Sequence, residues 1–252
     1  MTFECAYLLV SHGSRDPRHG LMLQEVAIAF KQALSSQPVL VKASSSSGGC
    51  GLEPVVQTAA LELGLEPLHQ EILKAIALAQ RQGKTKLVIV PLFLSAGVHV
   101  HTDIPEEVAL ASSKIDFPIT LSPFFGSYPN LNELLANKYE QLGGDGQILL
   151  AHGTTHSSGR AKLELRAMML GASNAYTSME PSLEQQVQTL IMAGKTRIAI
   201  VPYFLFPGRI LDRVHQQIQN LQRQYPKVNI LTSGVLATPE EIAFMMVGEL
   251  GQ

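Results

Sequence analysis

The sequence predicts an α/β protein made of two similar three-layer α/β/α domains with parallel sheets, arising from internal duplication. Three matched pairs of segments, met in the same order, predict it. Tyr-Leu-Leu-Val-Ser-His-Gly-Ser-Arg (residues 7–15) corresponds to Ile-Leu-Leu-Ala-His-Gly-Thr-Thr (148–155). Val-Ile-Val-Pro-Leu-Phe-Leu-Ser-Ala-Gly-Val-His (88–99) corresponds to Ala-Ile-Val-Pro-Tyr-Phe-Leu-Phe-Pro-Gly-Arg-Ile (199–210). Ile-Thr-Leu-Ser (119–122) corresponds to Ile-Leu-Thr-Ser (230–233), each followed by a proline-led helix pattern at Pro129 and Pro239. Self-similarity repeated in order is the mark of duplicated structural units. Strands alternating with helices add parallel sheets covered on both faces.

The elements follow in order. Residues 6–10 form a continuous apolar run, the pattern of a strand buried on both faces. It ends at Ser11-His12-Gly13-Ser14, with helix periodicity from about 21 to 34. Residues 39–43 read as the second strand, and the Ser/Gly/Cys run 44–51 as a surface loop, because it has no apolar area to bury. Helix patterns cover 55–61 and 68–82, with Gly83 as C-cap and a strand over 84–90. Asp103-Ile104-Pro105-Glu106-Glu107 reads as a helix start, with proline and acids in the first turn. A strand at 119–122 and a helix at 131–142 close the first unit. Gly143-Gly144-Asp145-Gly146 reads as a linker, dividing the chain into domains 1–144 and 145–252. The second unit is expected to run strand 148–151, helices 160–170 and 182–193, strand 197–201, helix 210–224, strand 228–232 and helix 239–250.

Composition narrows the function classes. A chain of 252 residues that is 46% hydrophobic can bury two cores. A net charge of −2 argues against nucleic acid or an anionic membrane as partner. Cys5 and Cys50 lack zinc or redox spacing, and a reducing cytoplasm is the plain expectation. The longest apolar stretch, 87–100, is broken by Pro91 and too short to span a bilayer; no signal-peptide pattern opens the chain. Gly-Gly-Asp-Gly near Gly144 lacks the Lys-Ser/Thr of a phosphate loop. No Gly-x-Ser-x-Gly elbow supports a hydrolase.

In open parallel sheets, ligands sit beyond the carboxyl ends of the strands. His12 directly follows the first strand, and His99 follows the strand through Phe93 by a few residues. Both imidazoles are therefore expected at one edge of one sheet. The bland alternative is that one of them caps a helix or bonds a loop. At the matched positions the copies differ: His152 corresponds to His12, but Ile210 faces His99. The chemistry is thus expected in the first copy, with His152 a lone imidazole. His19, His69, His156 and His215 are expected at the surface, and Phe124, Phe125, Phe204 and Phe206 in core or inter-domain contacts, with Phe206 also a candidate to line a cleft.

Leu-Val-Ser-His-Gly-Ser-Arg followed by Pro-Leu-Phe-Leu-x-x-Gly-x-His-x-x-x-Asp-Ile-Pro resembles the sirohydrochlorin chelatases, the SirB/CbiX type of class II chelatase. The resemblance spans the whole chain, because long members of that family are themselves duplicated. The two motifs together, in this order, are far more specific than His-Gly-Ser alone. The resemblance implies insertion of Fe(II) into sirohydrochlorin to give sirohaem, without ATP. It implies no permanently bound cofactor, the divalent metal being a substrate. By position it makes His12 and His99 the metal-binding and proton-accepting pair, with Glu62 as the accompanying carboxylate; Glu66 is the competing choice.

Neutral imidazoles suit the removal of two pyrrole protons near pH 7, and they suit Fe(II) and Co(II) as ligands. Sirohydrochlorin is a flat ring with eight carboxylates, so recognition must be local; Ser14, Arg15, Arg18, Ser44 and Ser45 are the candidates, through side chains and backbone amides. The sequence departs from the family in its Ser/Gly/Cys loop and in His101, which a strand-like alternation would place beside His99. Two other readings stay open: a cobaltochelatase of cobalamin synthesis, and a non-catalytic tetrapyrrole or metal carrier. The duplicated chain is expected to act as a monomer with two pseudo-symmetric domains in the cytoplasm.

Overall fold

The computed structural model describes residues 4–36, 53–154 and 157–250. It contains two four-stranded, all-parallel sheets of identical topology. In the first, β1 (Cys5–Ser11), β2 (Val55–Ala60), β3 (Lys86–Pro91) and β4 (Ile119–Leu121) lie in the order β2-β1-β3-β4. In the second, β5 (Gly146–Ala151), β6 (Ser173–Tyr176), β7 (Arg197–Pro202) and β8 (Asn229–Thr232) lie in the order β6-β5-β7-β8. The connecting helices are α1 (Pro17–Ser35), α2 (Leu68–Arg81), α3 (Ile104–Ser112) and α4 (Leu131–Leu142), then α5 (Ser157–Met169), α6 (Leu183–Met192), α7 (Arg209–Gln224) and α8 (Pro239–Leu250). The predicted duplication is thus present element for element.

Alternation along the central strands explains the layering. Ala6, Leu8 and Val10 of β1 pack with Ile72 and Ile76 of α2 and Ile104 of α3 on the outer face. Tyr7 and Leu9 point the other way, onto Met22, Val26 and Phe30 of α1. The second sheet repeats the pattern, with Ile148 and Leu150 against α6 and α7. The inner faces of both sheets share one hydrophobic cluster with α1, α4, α5 and α8 between them. Within that layer the last helix of each half crosses over: α4 packs on β7 of the second sheet, and α8 packs along α1 of the first half. Lys138 of α4 and Glu241 of α8 clasp the two crossing helices at 2.9 Å. The halves meet again where Arg166 donates to the Gly126 carbonyl at 3.0 Å and to the Tyr203 hydroxyl, which itself donates to the Leu94 carbonyl at 3.3 Å.

Three expectations are corrected. Residues 55–61 were expected to be helical, but Val55–Ala60 is the edge strand β2, in register with β1 from Ala6↔Val55 to Ser11↔Ala60. Pairing with a buried neighbour outweighs a weak local helix pattern, and β-branched Val55, Val56 and Thr58 suit a half-buried strand. Ser173–Tyr176, assigned to no element, is β6, the equivalent edge strand. An edge strand needs no continuous apolar run, so both escaped a search for one. Third, α1 begins at Pro17 rather than near 21: Asp16 caps it, accepting the Arg18 N–H at 3.1 Å, and proline occupies the first turn. The strand expected at 39–43, the loop 44–51, Cys50 and His156 lie outside the described residues.

Because the inner cluster is common to both halves, a fragment of residues 1–142 exposes α1 where α8 covers it and leaves α4 without β7. We expect that fragment to be unfolded or self-associated by circular dichroism and size-exclusion chromatography. A monomeric fragment with a cooperative urea transition would show that the halves fold independently.

Candidate active site

The topology brings three side chains to the carboxyl edge of the first sheet. His12 follows β1, Glu62 follows β2, and His99 opens a single π-helical turn, His99–Asp103, beyond β3. The β1 and β2 ends are locked together: Leu61 N–H donates to the Ser11 carbonyl at 2.8 Å and Glu62 N–H to the His12 carbonyl at 2.9 Å. Between them, Gly13 takes φ +94°, and a Cβ there would stand 2.0 Å from the Glu62 carbonyl oxygen. Only glycine permits that approach.

The outcome is a three-residue cluster. Ligand atoms of His12, Glu62 and His99 lie within 4.8 Å of one another, and it is a metal-capable donor set. His12 Nε2 is 3.7 Å from Glu62 Oε2, His99 Nδ1 is 4.0 Å from Glu62 Oε1, and the two imidazole rings meet edge to face at 4.8 Å. Asp103 accepts from His99 Nδ1 at 2.6 Å, which leaves Nε2 of that ring with the lone pair. His12 Nδ1 faces the Gly13 carbonyl at 3.3 Å, leaving its Nε2 free in the same way. Glu66, the competing carboxylate, is instead paired with Lys74 at 2.9 Å. His101 was expected beside His99 by strand alternation; the helical turn removes that alternation, and His101 is exposed and outside the cluster.

His12 also lies on a cleft of about 430 Å³ between the two halves. One wall is the β1–α1 turn, with Ser14, Arg15 and His19; the other is the β7–α7 loop, with Phe204, Phe206, Arg209 and Ile210. Ser14 Oγ accepts the Asp16 N–H at 3.0 Å, and Arg15 is exposed. Ser44 and Ser45 lie outside the described residues. His19 is not at the surface as expected: it is buried, its ring packs against that of Phe206 at a tilt of 45° with centroids 4.3 Å apart, and burial followed by the nearby His12 charge lowers its pKa. His69 is half-buried, its Nδ1 2.9 Å from Glu107 of α3.

Arg18 spans the cleft edge, donating to both oxygens of Asp212 on α7 at 3.0 and 2.6 Å and to Asp16 at 2.6 Å. The hydrogen bond from Arg18 brings the Asp16 carboxyl down to about 2. A lowered carboxyl pKa makes this link present above the ordinary Asp value and lost as pH falls towards 2. Of these residues, Asp103 carried a sequence signal, its i,i+4 spacing from His99 on a helical turn, and Phe206 was the aromatic candidate for a cleft; the cleft roles of His19 and Arg209 carried none.

The second half preserves the frame without the donors. Thr177 N–H donates to the Ala151 carbonyl at 3.0 Å and Ser178 N–H to the His152 carbonyl at 3.0 Å, so Ser178 occupies the register position of Glu62. His152 Nδ1 lies 2.9 Å from Thr177 Oγ1. Two of three donors are therefore replaced, Glu62 by Ser178 and His99 by Ile210; sequence matching had found only the second.

Gly13→Ala is expected to cost at least ~2 kcal/mol of stability in urea unfolding, from the disallowed φ plus the clash, and to weaken Co(II) binding followed by absorbance. Gly83→Ala is the control: its φ is +67°, but a Cβ there meets nothing within 4 Å. Equal losses in the two variants would show that the contact with Glu62 is unimportant.

The CbiX family model matches residues 6–142 and again 146–250. The sirohydrochlorin ferrochelatase of Bacillus subtilis is 24% identical over 242 residues, covering 88% of this chain and 82% of that protein. The sirohydrochlorin cobaltochelatase of Priestia megaterium is 21% identical over 246 residues, covering 90% and 72%. In fold, the chain matches the structure of SirB from Bacillus subtilis with Fe3+ at a TM-score of 0.73 and 20% identity, over 98% of this chain and 94% of that one. Two matches of one family model, one to each half and together spanning nearly all of the described residues, establish that this chain belongs to the CbiX family, in a duplicated form.

Proposed function

We propose that this protein inserts Fe(II) into sirohydrochlorin to give sirohaem, without nucleotide hydrolysis. The observation that carries the reading is the His12, Glu62 and His99 cluster, whose His12 lines a cleft made by both halves. The full-length likeness to a sirohydrochlorin ferrochelatase supports the choice of ring and metal.

In this reading His12 and His99 offer Nε2 lone pairs to the arriving ion, and Glu62 offsets its charge. Two imidazoles and one carboxylate bind a divalent ion weakly enough to yield it to four ring nitrogens. Each pyrrole N–H proton passes to a base of the cluster as its nitrogen bonds the metal, and from there to water at the exposed face of His12 and Glu62. Asp103 holds His99 in the tautomer this requires. Ser14 and Arg15 line the cleft as ring-binding groups. The first half supplies the metal chemistry and the second a wall, so a single chain acting as a monomer in the cytoplasm suffices. No helix among the described residues is long and apolar enough to cross a membrane.

Cobalt is the second reading, supported by the likeness to a sirohydrochlorin cobaltochelatase and by the greater affinity of nitrogen sites for Co(II) than for Fe(II). Anaerobic incubation with metal-free sirohydrochlorin and either ion, followed by ring absorbance, separates the two. Turnover beyond one equivalent with Fe(II) is expected; binding without turnover would identify a carrier instead.

The asymmetry of the halves gives a mutational test. His12→Ala and His99→Ala should each lower insertion by at least ~10²-fold, the scale of losing an acid–base group. Glu62→Gln should fall between these and wild type, and His152→Ala should stay within about threefold, far below that scale. Equal losses at His12 and His152 in folded proteins would show that both halves supply the chemistry.

A further inference from the structure

The β7–α7 loop walls the cleft opposite the turn that carries His12. Its counterpart after β3 runs from Leu92 to His99, and pairing Pro91 with Pro202 aligns Val98 with Arg209 and His99 with Ile210. The second copy has thus exchanged a valine and a candidate ligand for a cation and an exposed apolar side chain, at the start of α7 on the cleft that His12 also lines.

Arg209 is poorly explained by its own helix. It is the first residue of α7, where the positive end of the helix disfavours a cation. The acid one turn on, Asp212, is taken by Arg18 through both oxygens. Among the described residues Arg209 makes no ion pair; it is close enough to lower the pKa of Asp16, but that carboxylate is held by Arg18. Arg15, across the cleft, is likewise exposed and makes no ion pair among the described residues. Two guanidinium groups without an ion pair among the described residues, one from each wall, therefore line a cleft that Phe206 and Ile210 also line.

Resting on the tetrapyrrole reading above, we propose that Arg209 is a substrate-specificity residue supplied by the second half. With Arg15 it grips carboxylates on the rim of the ring, while Phe206 and Ile210 cover the ring's apolar face. The planar fork of a guanidinium matches a carboxylate in a two-point hydrogen bond that an ammonium cannot copy. A ring with few carboxylates gains little from that grip.

The test is metal-free binding to the full-length protein, so that it fails separately from the chelatase reading. Fluorescence titration compares uroporphyrin, with eight carboxylates, against deuteroporphyrin, with two. Arg209→Ala is expected to weaken uroporphyrin about tenfold or more, as for a lost charge-assisted contact, and to leave deuteroporphyrin within about twofold. Arg209→Lys should recover only part of the loss, and the salt dependence of uroporphyrin binding should flatten in Arg209→Ala. In turnover with sirohydrochlorin, KM should rise while kcat stays within about twofold. Unchanged uroporphyrin binding in Arg209→Ala, equal losses for both rings, or no uroporphyrin binding by the wild type would each overturn the proposal. Retained ring discrimination in a protein that inserts no metal would refute the chelatase reading and leave this one standing.

Discussion

The site depends on the backbone pairing of β1 and β2 past their last ladder residues. Leu61 and Glu62 continue the strand hydrogen bonds onto Ser11 and His12, so two residues of the cluster are fixed by main-chain geometry rather than by loop packing. Gly13 is what makes this possible, since its φ and missing side chain let the Glu62 carbonyl come against the turn. The third residue of the cluster is fixed by a different device. His99 stands on a π-helical turn continuous with α3, and Asp103, four residues on, holds its ring. A cluster built from strand ends and one helical turn has its spacing set by the backbone rather than by an ion.

The crossing of α4 and α8 ties the halves into one molecule and thereby fixes the cleft. Neither sheet is covered on its inner face by the helices of its own half alone. Relative motion of the halves would have to break the shared core, the Lys138–Glu241 clasp and the buried contact of Arg166 with Tyr203. Burial of Tyr203 pushes its hydroxyl up to about 12, so it remains a neutral donor to Leu94 at any physiological pH. Arg18 and Asp212 add an exposed link at the cleft edge, where solvent screening keeps the energetic gain small.

Much of this was legible in the sequence because its cause is local. Apolar runs such as 6–10 and 148–151 mark central strands, and His12 and His99 could be set at one sheet edge from strand polarity alone. What escaped depends on contacts between distant segments. Val55–Ala60 is a strand because β1 pairs with it, and Ser173–Tyr176 because β5 does. Ser178 has no sequence motif linking it to Glu62; only matched hydrogen bonds identify it as the counterpart. The choice between Glu62 and Glu66 was likewise undecidable from spacing once the segment was read as helix, since the two would then share a face. As a loop following a strand, it places Glu62 beside the imidazoles and leaves Glu66 with Lys74.

The inequality of the halves follows from the same architecture. A duplicated chain inherits two potential sites, but a cleft between halves needs one face to hold the metal and the other to hold what receives it. Ser178 and Ile210 remove two of three donors from the second half without disturbing the turn at Gly153, whose φ of +101° repeats that of Gly13. The frame is retained because it carries β5, β7 and the loop after β7, and hence the wall opposite His12. Loss of the donors leaves a single three-donor cluster among the described residues and frees Ile210 and its neighbours to line the cleft. His19 and Phe206, in tilted ring contact across the halves at 4.3 Å, join the two walls of the cleft.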